Sequence, residues 1–152
     1  MPLDAIDRRI IAELQADGSL ANVELARRVH LSPSPCLARV RALERAGVIR
    51  RYVALVDPEA LGLGVTVFIS ISLREQNTAT LAEFERRIGA CDEVMECYLM
   101  TGQFDYLLRV VCADLGAYEE FLRSKLTQLE GVGSIESSFS LAQVKYSRVL
   151  PV

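Results

Sequence analysis

The chain has 152 residues, 51% of them hydrophobic, and a net charge of −3. This is room for one medium domain or two small ones with a real core, and its apolar runs are too short to span a bilayer. The charge is split: residues 1–52 hold nine arginines against six carboxylates, a net +3, and residues 53–152 hold eight cations against fourteen carboxylates, a net −6. A basic head on an acidic body fits a DNA-binding module joined to something else.

The opening MPLDAIDRRI has acidic residues and no small-residue cleavage site, so no signal peptide is expected and the expected location is cytoplasmic. The cysteines are Cys36, Cys91, Cys97 and Cys112, with no C-x-x-C spacing, and His30 is the only histidine. That argues for free thiols, with no metal site and no cofactor.

In chain order, Leu3, Ile6, Ile10, Ile11 and Leu14 have helical spacing over 3–16, and Gly18 is placed to end that helix. Ala21 to Val29 reads as a second helix with Val23, Leu25, Ala26 and Val29 turned inward. His30-Leu31-Ser32 is the turn, where histidine tolerates positive φ better than most residues. Ser32-Pro33 and Ser34-Pro35 each offer an N-cap followed by proline, and both starts stay open for the third helix. That helix runs to about Ala46, with Gly47 beyond its end. Val48 to Val56 is extended and apolar, suited to a wing and hinge strand. Asp57-Pro58 and Gly62-Leu63-Gly64 mark a boundary.

The second half changes period. Val65, Val67, Ile69, Ile71 and Leu73 alternate with polar residues and Phe68, which reads as a strand with one apolar face. Leu81, Phe84 and Ile88 mark a helix. Val94–Met100 and Tyr106–Cys112 are two strands around a loop. Leu115, Tyr118, Leu122 and Leu129 mark another helix ended by Gly131, and Ile135, Ser137, Phe139 and Leu141 begin a last strand. The order β-α-β-β-α-β is the ferredoxin-like pattern, with both helices on one sheet face. The other face, with Phe68 and Tyr98, calls for a second subunit. The expected class is α+β: a winged helix-turn-helix over 1–52, a hinge over 53–63 and a ferredoxin-like domain over 64–152.

On a helical wheel of the third helix, zeroed on Leu37, Val40 and Leu43 form the buried stripe and Cys36 lies beside it. Ser34, Ala38, Ala42, Arg41 and Arg45 cluster on the opposite side, flanked by Pro35 and Arg39. Small residues let a helix backbone approach a groove floor, and arginine can bridge guanine O6 and N7 or hold phosphates. Ser34, at the helix start, can meet a phosphate there with backbone N–H groups. A solvated arginine face is the plainer reading, and the preceding helix and turn favour DNA over it. Arg27, Arg28, Arg50 and Arg51 fit phosphate contacts better than base contacts.

The second candidate site is the loop Met100-Thr101-Gly102-Gln103-Phe104-Asp105-Tyr106. A glycine turn can aim N–H groups at a carboxylate, Thr101 adds a hydroxyl, and Asp105 can pair with an α-ammonium. Together they suit the constant part of an amino acid, with apolar neighbours reading its side chain. A plain hairpin also takes Gly and Asp for backbone reasons.

The runs LDAIDRRIIAELQADG, NVELARRVHLSPSPCLARVRALERAGVI and TGQFDYLLRV together resemble the Lrp/AsnC family of bacterial and archaeal regulators over essentially the whole chain. The SPSPCLARV run resembles most the leucine-responsive branch, and His30 departs from the glycine common there. The resemblance implies a sequence-specific transcription regulator and no catalytic residues. It further implies a C-terminal domain, called RAM in this family, that binds an amino-acid effector and assembles homodimers into higher oligomers, often octamers. It places the effector at Met100, Thr101, Gly102, Phe104, Asp105 and Tyr106, with Ser138 of the last strand as a further lining residue; the expected contacts to double-stranded DNA are Ser32, Ser34, Pro35, Ala38, Arg39, Arg41 and Arg45. Two other readings stand beside it: an architectural DNA-binding protein that ignores small molecules, and a siroheme-decarboxylase-like enzyme, which a single histidine disfavours.

Overall fold

Three helices, α1 (Ala5–Ala16), α2 (Asn22–Arg28) and α3 (Pro33–Arg45), carry the first part of the computed structural model, which describes Pro2–Val152. Asp4 caps α1: its carboxylate accepts the Ile6 and Asp7 N–H groups at 2.8 Å each, and the Asp7 carboxylate accepts the Asp4 N–H at 3.2 Å. This reciprocal box satisfies donors that every helix start leaves open. The periodic apolar residues meet as one core of Ile10, Ile11, Leu25, Ala26, Val29, Cys36, Val40 and Leu43. Val23, expected inside, is 68% exposed, because a helix of only seven residues turns a narrow stripe inward.

The turn between α2 and α3 is held by the Leu31 N–H donating to Ala26 O at 2.9 Å and by Asn22 Nδ2 donating to Pro33 O at 2.8 Å. His30 has φ 59°, the one positive-φ residue among the described residues that is not glycine, so the glycine-like turn is kept with a side chain that tolerates it. α3 opens at Ser32-Pro33, which settles the choice between the two Ser-Pro pairs; Ser32 sits at the cap without a side-chain cap bond. Gly47, at φ 71°, follows the end of α3. The extended segment expected over Val48–Val56 forms no strand. The segment makes no ladder pairing among the described residues, and Tyr52, Val53, Leu55 and Val56 stay exposed.

The second part is a four-stranded antiparallel sheet in the order β2-β3-β1-β4, from β1 (Val65–Leu73), β2 (Val94–Leu99), β3 (Tyr106–Cys112) and β4 (Val132–Phe139). Its helices are α4 (Thr78–Ile88) and α5 (Leu115–Ser124), capped by Asn77 and Asp114. Val67, Ile69 and Ile71 pair with Val110, Leu108 and Tyr106, so one face is uniformly apolar, and Phe84, Ile88, Tyr118 and Phe121 pack on it. The Phe84 and Tyr106 rings lie 4.5 Å apart between centroids. The opposite face carries Phe68, Tyr98 and the Glu96–Arg109 ion pair, 3.2 Å apart.

Three boundaries differ from expectation. The α5 helix stops at Ser124 and the chain continues as a single 3₁₀ turn, Leu126–Gln128, so Leu126 and Phe121 are buried instead of Leu115. β4 ends at Phe139, opposite Val67; one further bond, from the Ser140 N–H to Thr66 O at 2.9 Å, closes the pairing, and Leu141 is fully exposed. The chain divides into two units, the N-terminal residues through Leu55 with Val144–Val152, and Val56–Gln143. The last residues, read from sequence as part of the sheet domain, thus group with the helical unit. Gln15 clasps them: its Nε2 donates to Leu150 O at 3.0 Å and its Oε1 accepts the Leu150 N–H at 2.7 Å.

Candidate DNA-binding face and effector cavity

In the helical unit, Cys36, Val40 and Leu43 anchor α3 to the core, which fixes the faces of the remaining residues. Cys36, Val40 and Leu43 form the buried stripe where the wheel places it, and Leu37, the zero of the wheel, is 36% exposed. Burial also raises the Cys36 thiol, which keeps it protonated. Ser32, Ser34, Pro35, Ala38, Arg41 and Arg45 are exposed together. Proline has no N–H, so of the first three helical residues only Ser34 offers one to a phosphate.

The arginines divide into two groups. Arg41 and Arg45 make no side-chain bond among the described residues and remain available. Arg39 does not share their face: its Nη1 donates to Asp4 Oδ2 at 2.7 Å and Asp7 Oδ1 at 2.8 Å. Arg27 and Arg28, read from sequence as phosphate contacts, both bond Glu24, and Arg28 also reaches Glu13 at 3.0 Å. The two guanidiniums hold Glu24 down at a pKa of about 2. These are exposed surface pairs, worth little individually and easily exchanged for phosphate.

In the sheet unit the loop between β2 and β3 is closed by the Met100 N–H donating to Asp105 O at 2.8 Å. Gly102 turns it at φ 118°, a conformation that disfavours a side chain. Asp105 ties the loop to the end of β1. Its N–H donates to Ile71 O at 2.8 Å, its Oδ2 accepts the Leu73 N–H at 2.7 Å, and its Oδ1 accepts Gln76 Nε2 at 2.7 Å. Each carboxylate oxygen has a second lone pair, so an ammonium can still be met.

A cavity of about 340 Å³ opens beside the loop, lined by Met100, Thr101 and Asp105 with Gln76, Leu81 and Leu99. The last three were not singled out in the sequence. Leu81 was legible only as a helix-stripe residue, and Gln76 had no signal at all. Gly102 and Phe104 belong to the loop without lining the cavity. Tyr106 points to the helix side, where it is 1% exposed and its hydroxyl donates to Glu85 Oε1 at 2.8 Å. It lines a separate cleft of about 230 Å³ with Glu85, Ile88, Gly89, Cys97 and Leu99. Cys97 is exposed on the edge strand, but partial desolvation in this cleft, with the Glu85 carboxylate nearby, pushes its thiol up to about 11, so it stays protonated at neutral pH. Ser138 is not brought to the loop within one chain: it pairs with Phe68 on β4, the sheet edge opposite β2.

Among the described residues no group of His, Cys, Asp and Glu is arranged to hold a metal, and no helix is long and apolar enough to cross a membrane. Residues 3–50 match a winged helix-turn-helix DNA-binding model, and residues 66–150 match the Lrp/AsnC ligand binding domain. The leucine-responsive regulatory proteins of Escherichia coli strain K12 and Salmonella typhimurium are each 42% identical over 150 residues, covering 99% of this chain and 92% of theirs. The fold is similar to that of a Neisseria meningitidis transcriptional regulator solved in complex with L-methionine, with a TM-score of 0.94 and 41% identity over 99% of this chain and 97% of that one. It is also similar to an AsnC family transcriptional regulator from Agrobacterium tumefaciens, with a TM-score of 0.93 and 41% identity over 98% and 97% of the two chains. With both parts matched in order, the chain belongs to the Lrp/AsnC family of transcriptional regulators.

Proposed function

We propose that this regulator reads double-stranded DNA with the outward face of α3 and that an apolar amino acid, bound beside the β2–β3 loop, changes its affinity for that DNA. The observation that carries the reading is the division of labour within one chain. One unit presents Arg41 and Arg45 unpaired beside Ser32, Ser34, Pro35 and Ala38. The other keeps a cavity in which Leu81, Leu99 and Met100 face the polar groups of Thr101 and Asp105. The L-methionine bound by the Neisseria regulator supports an apolar side chain for the effector. Thr101, the Gly102 turn and Asp105 take its charged ends, and the leucines and Met100 take its side chain.

The working form is a homodimer through the outer sheet face, assembled further into a ring of dimers, an octamer. Phe68 at 41% exposure and Tyr98 at 52% support that face as an interface, since rings this large are rarely left in water on a sheet. Ser138 lies on the same face as Phe68 and reaches an effector only across such an assembly. The protein acts in the cytoplasm and catalyses no reaction; its regulator relatives support a binding role.

Calorimetry with L-leucine and L-methionine tests the effector half. Saturable heat is expected with the wild type, and at least a tenfold loss of affinity with Leu81→Arg, which fills the cavity. No heat from any amino acid would leave an effector-independent architectural protein.

A further inference from the structure

Arg39 is in the middle of α3, but its guanidinium is spent on α1. Asp4 and Asp7 are the same two carboxylates that form the capping box, so one guanidinium and three backbone N–H groups engage all four of their oxygens. Asp7 is the buried charged residue among those described, 7% exposed. A buried carboxylate that loses its cation is strongly disfavoured, so turning Arg39 toward DNA would strand Asp7.

We infer that Arg39 is a positioning residue and not a reader of DNA: it clamps the middle of α3 to the start of α1 and sets the angle at which Arg41 and Arg45 are presented. This inference rests on α3 being the DNA-reading helix. It separates three arginines that a helical wheel groups together. It also gives Asp4 and Asp7 a part in DNA recognition, although both are acidic and lie outside the recognition helix. Their charge would repel phosphate if left bare, and Arg39 neutralises it locally. The ammonium of a lysine can serve both carboxylates as one donor group, so Arg39→Lys should keep most of the function.

The test is binding of genomic operator fragments over a salt series by the full-length wild type and variants. Arg39→Gln and Asp7→Asn are each expected to weaken binding roughly tenfold, and the double variant no further, because residues in one network are not additive. Neither should change the slope of log affinity against log salt, whereas Arg41→Ala, which removes one contact from each protomer of a bound dimer, should lower it by about 1.8. Arg39→Lys should recover most of the affinity. Melting curves ensure that all binding is read on folded protein. If Asp7→Asn does not fold, Asp4→Asn, at a half-exposed partner, carries the same cycle. A reduced salt slope for Arg39→Gln, matching Arg41→Ala, would overturn the inference and place the free guanidinium nitrogens on a phosphate. So would wild-type affinity in the aspartate variants. A wild type that binds no DNA overturns the reading of α3 itself, and this inference with it.

Discussion

Leu43→Ala is expected to destabilise the helical unit by about 2–5 kcal/mol, the usual range for emptying a buried leucine site. Leu43 is 0% exposed and is one of the eight buried residues of this core, among the largest of them. A unit this small has little surplus, since net stabilities of whole domains are only about 5–15 kcal/mol. The substitution should therefore melt α1–α3 near ambient temperature and abolish DNA binding without touching a DNA-facing residue. Hydrogen exchange checks it: amides of α1 and α3 should lose protection while those of β1 and β3 keep it, because Val67, Ile69, Leu108 and Val110 belong to a separate core. Equal acceleration in both units would show that they unfold as one.

The second large effect is electrostatic. If an assembled dimer makes about six to ten phosphate contacts, raising salt from roughly 50 to 200 mM should weaken DNA binding about 10³-fold or more through the loss of counterion release. Arg41→Ala with Arg45→Ala should lower the salt slope by about 3.6, since each substitution removes one contact from each protomer of the dimer, and weaken operator binding by roughly 10²-fold. Both side chains are exposed and without partners among the described residues, so the double variant should melt like the wild type. Fluorescence anisotropy on labelled fragments measures the slope directly. A slope unchanged by the double substitution would remove α3 as the contact face.

Much of this could be read in the residues because period and burial agree. Val65–Leu73 alternates so regularly that β1 is recovered end to end, and the three-helix pattern is closed by His30 and Gly47 in the backbone conformations expected of them. What escaped was long-range or depended on partners. The Val48–Val56 segment has strand composition, but composition does not provide a neighbour to pair with. The wheel placed Arg39 at the flank of the DNA face, and only the fold brings Asp4 and Asp7 within 2.7 and 2.8 Å of it. The D-x-x-D run at the start of α1 held a local signal for the capping box, but none for a partner 32 or 35 residues away. In the sheet unit, Thr101 and Asp105 were legible as loop chemistry. Gln76 and Leu81 come to the cavity from α4 and the segment before it, and nothing in their own sequence surroundings points there. Tyr106 follows strand alternation: next to Asp105, it has to face the other way.

The two halves of the account meet in one quantity, the coupling between amino acid and DNA. Binding free energies are linked, so an effector that changes DNA affinity by some factor must have its own affinity changed by the same factor when DNA is bound. The direct measurement is a pair of titrations on the full-length protein: operator DNA with and without saturating L-leucine or L-methionine, and the amino acid with and without saturating operator. The account predicts steeply salt-dependent DNA binding shifted about 5- to 150-fold by the amino acid, with the same factor in the reciprocal titration. Tight DNA binding that no amino acid alters, with no amino acid bound at the Thr101–Asp105 loop, would contradict it.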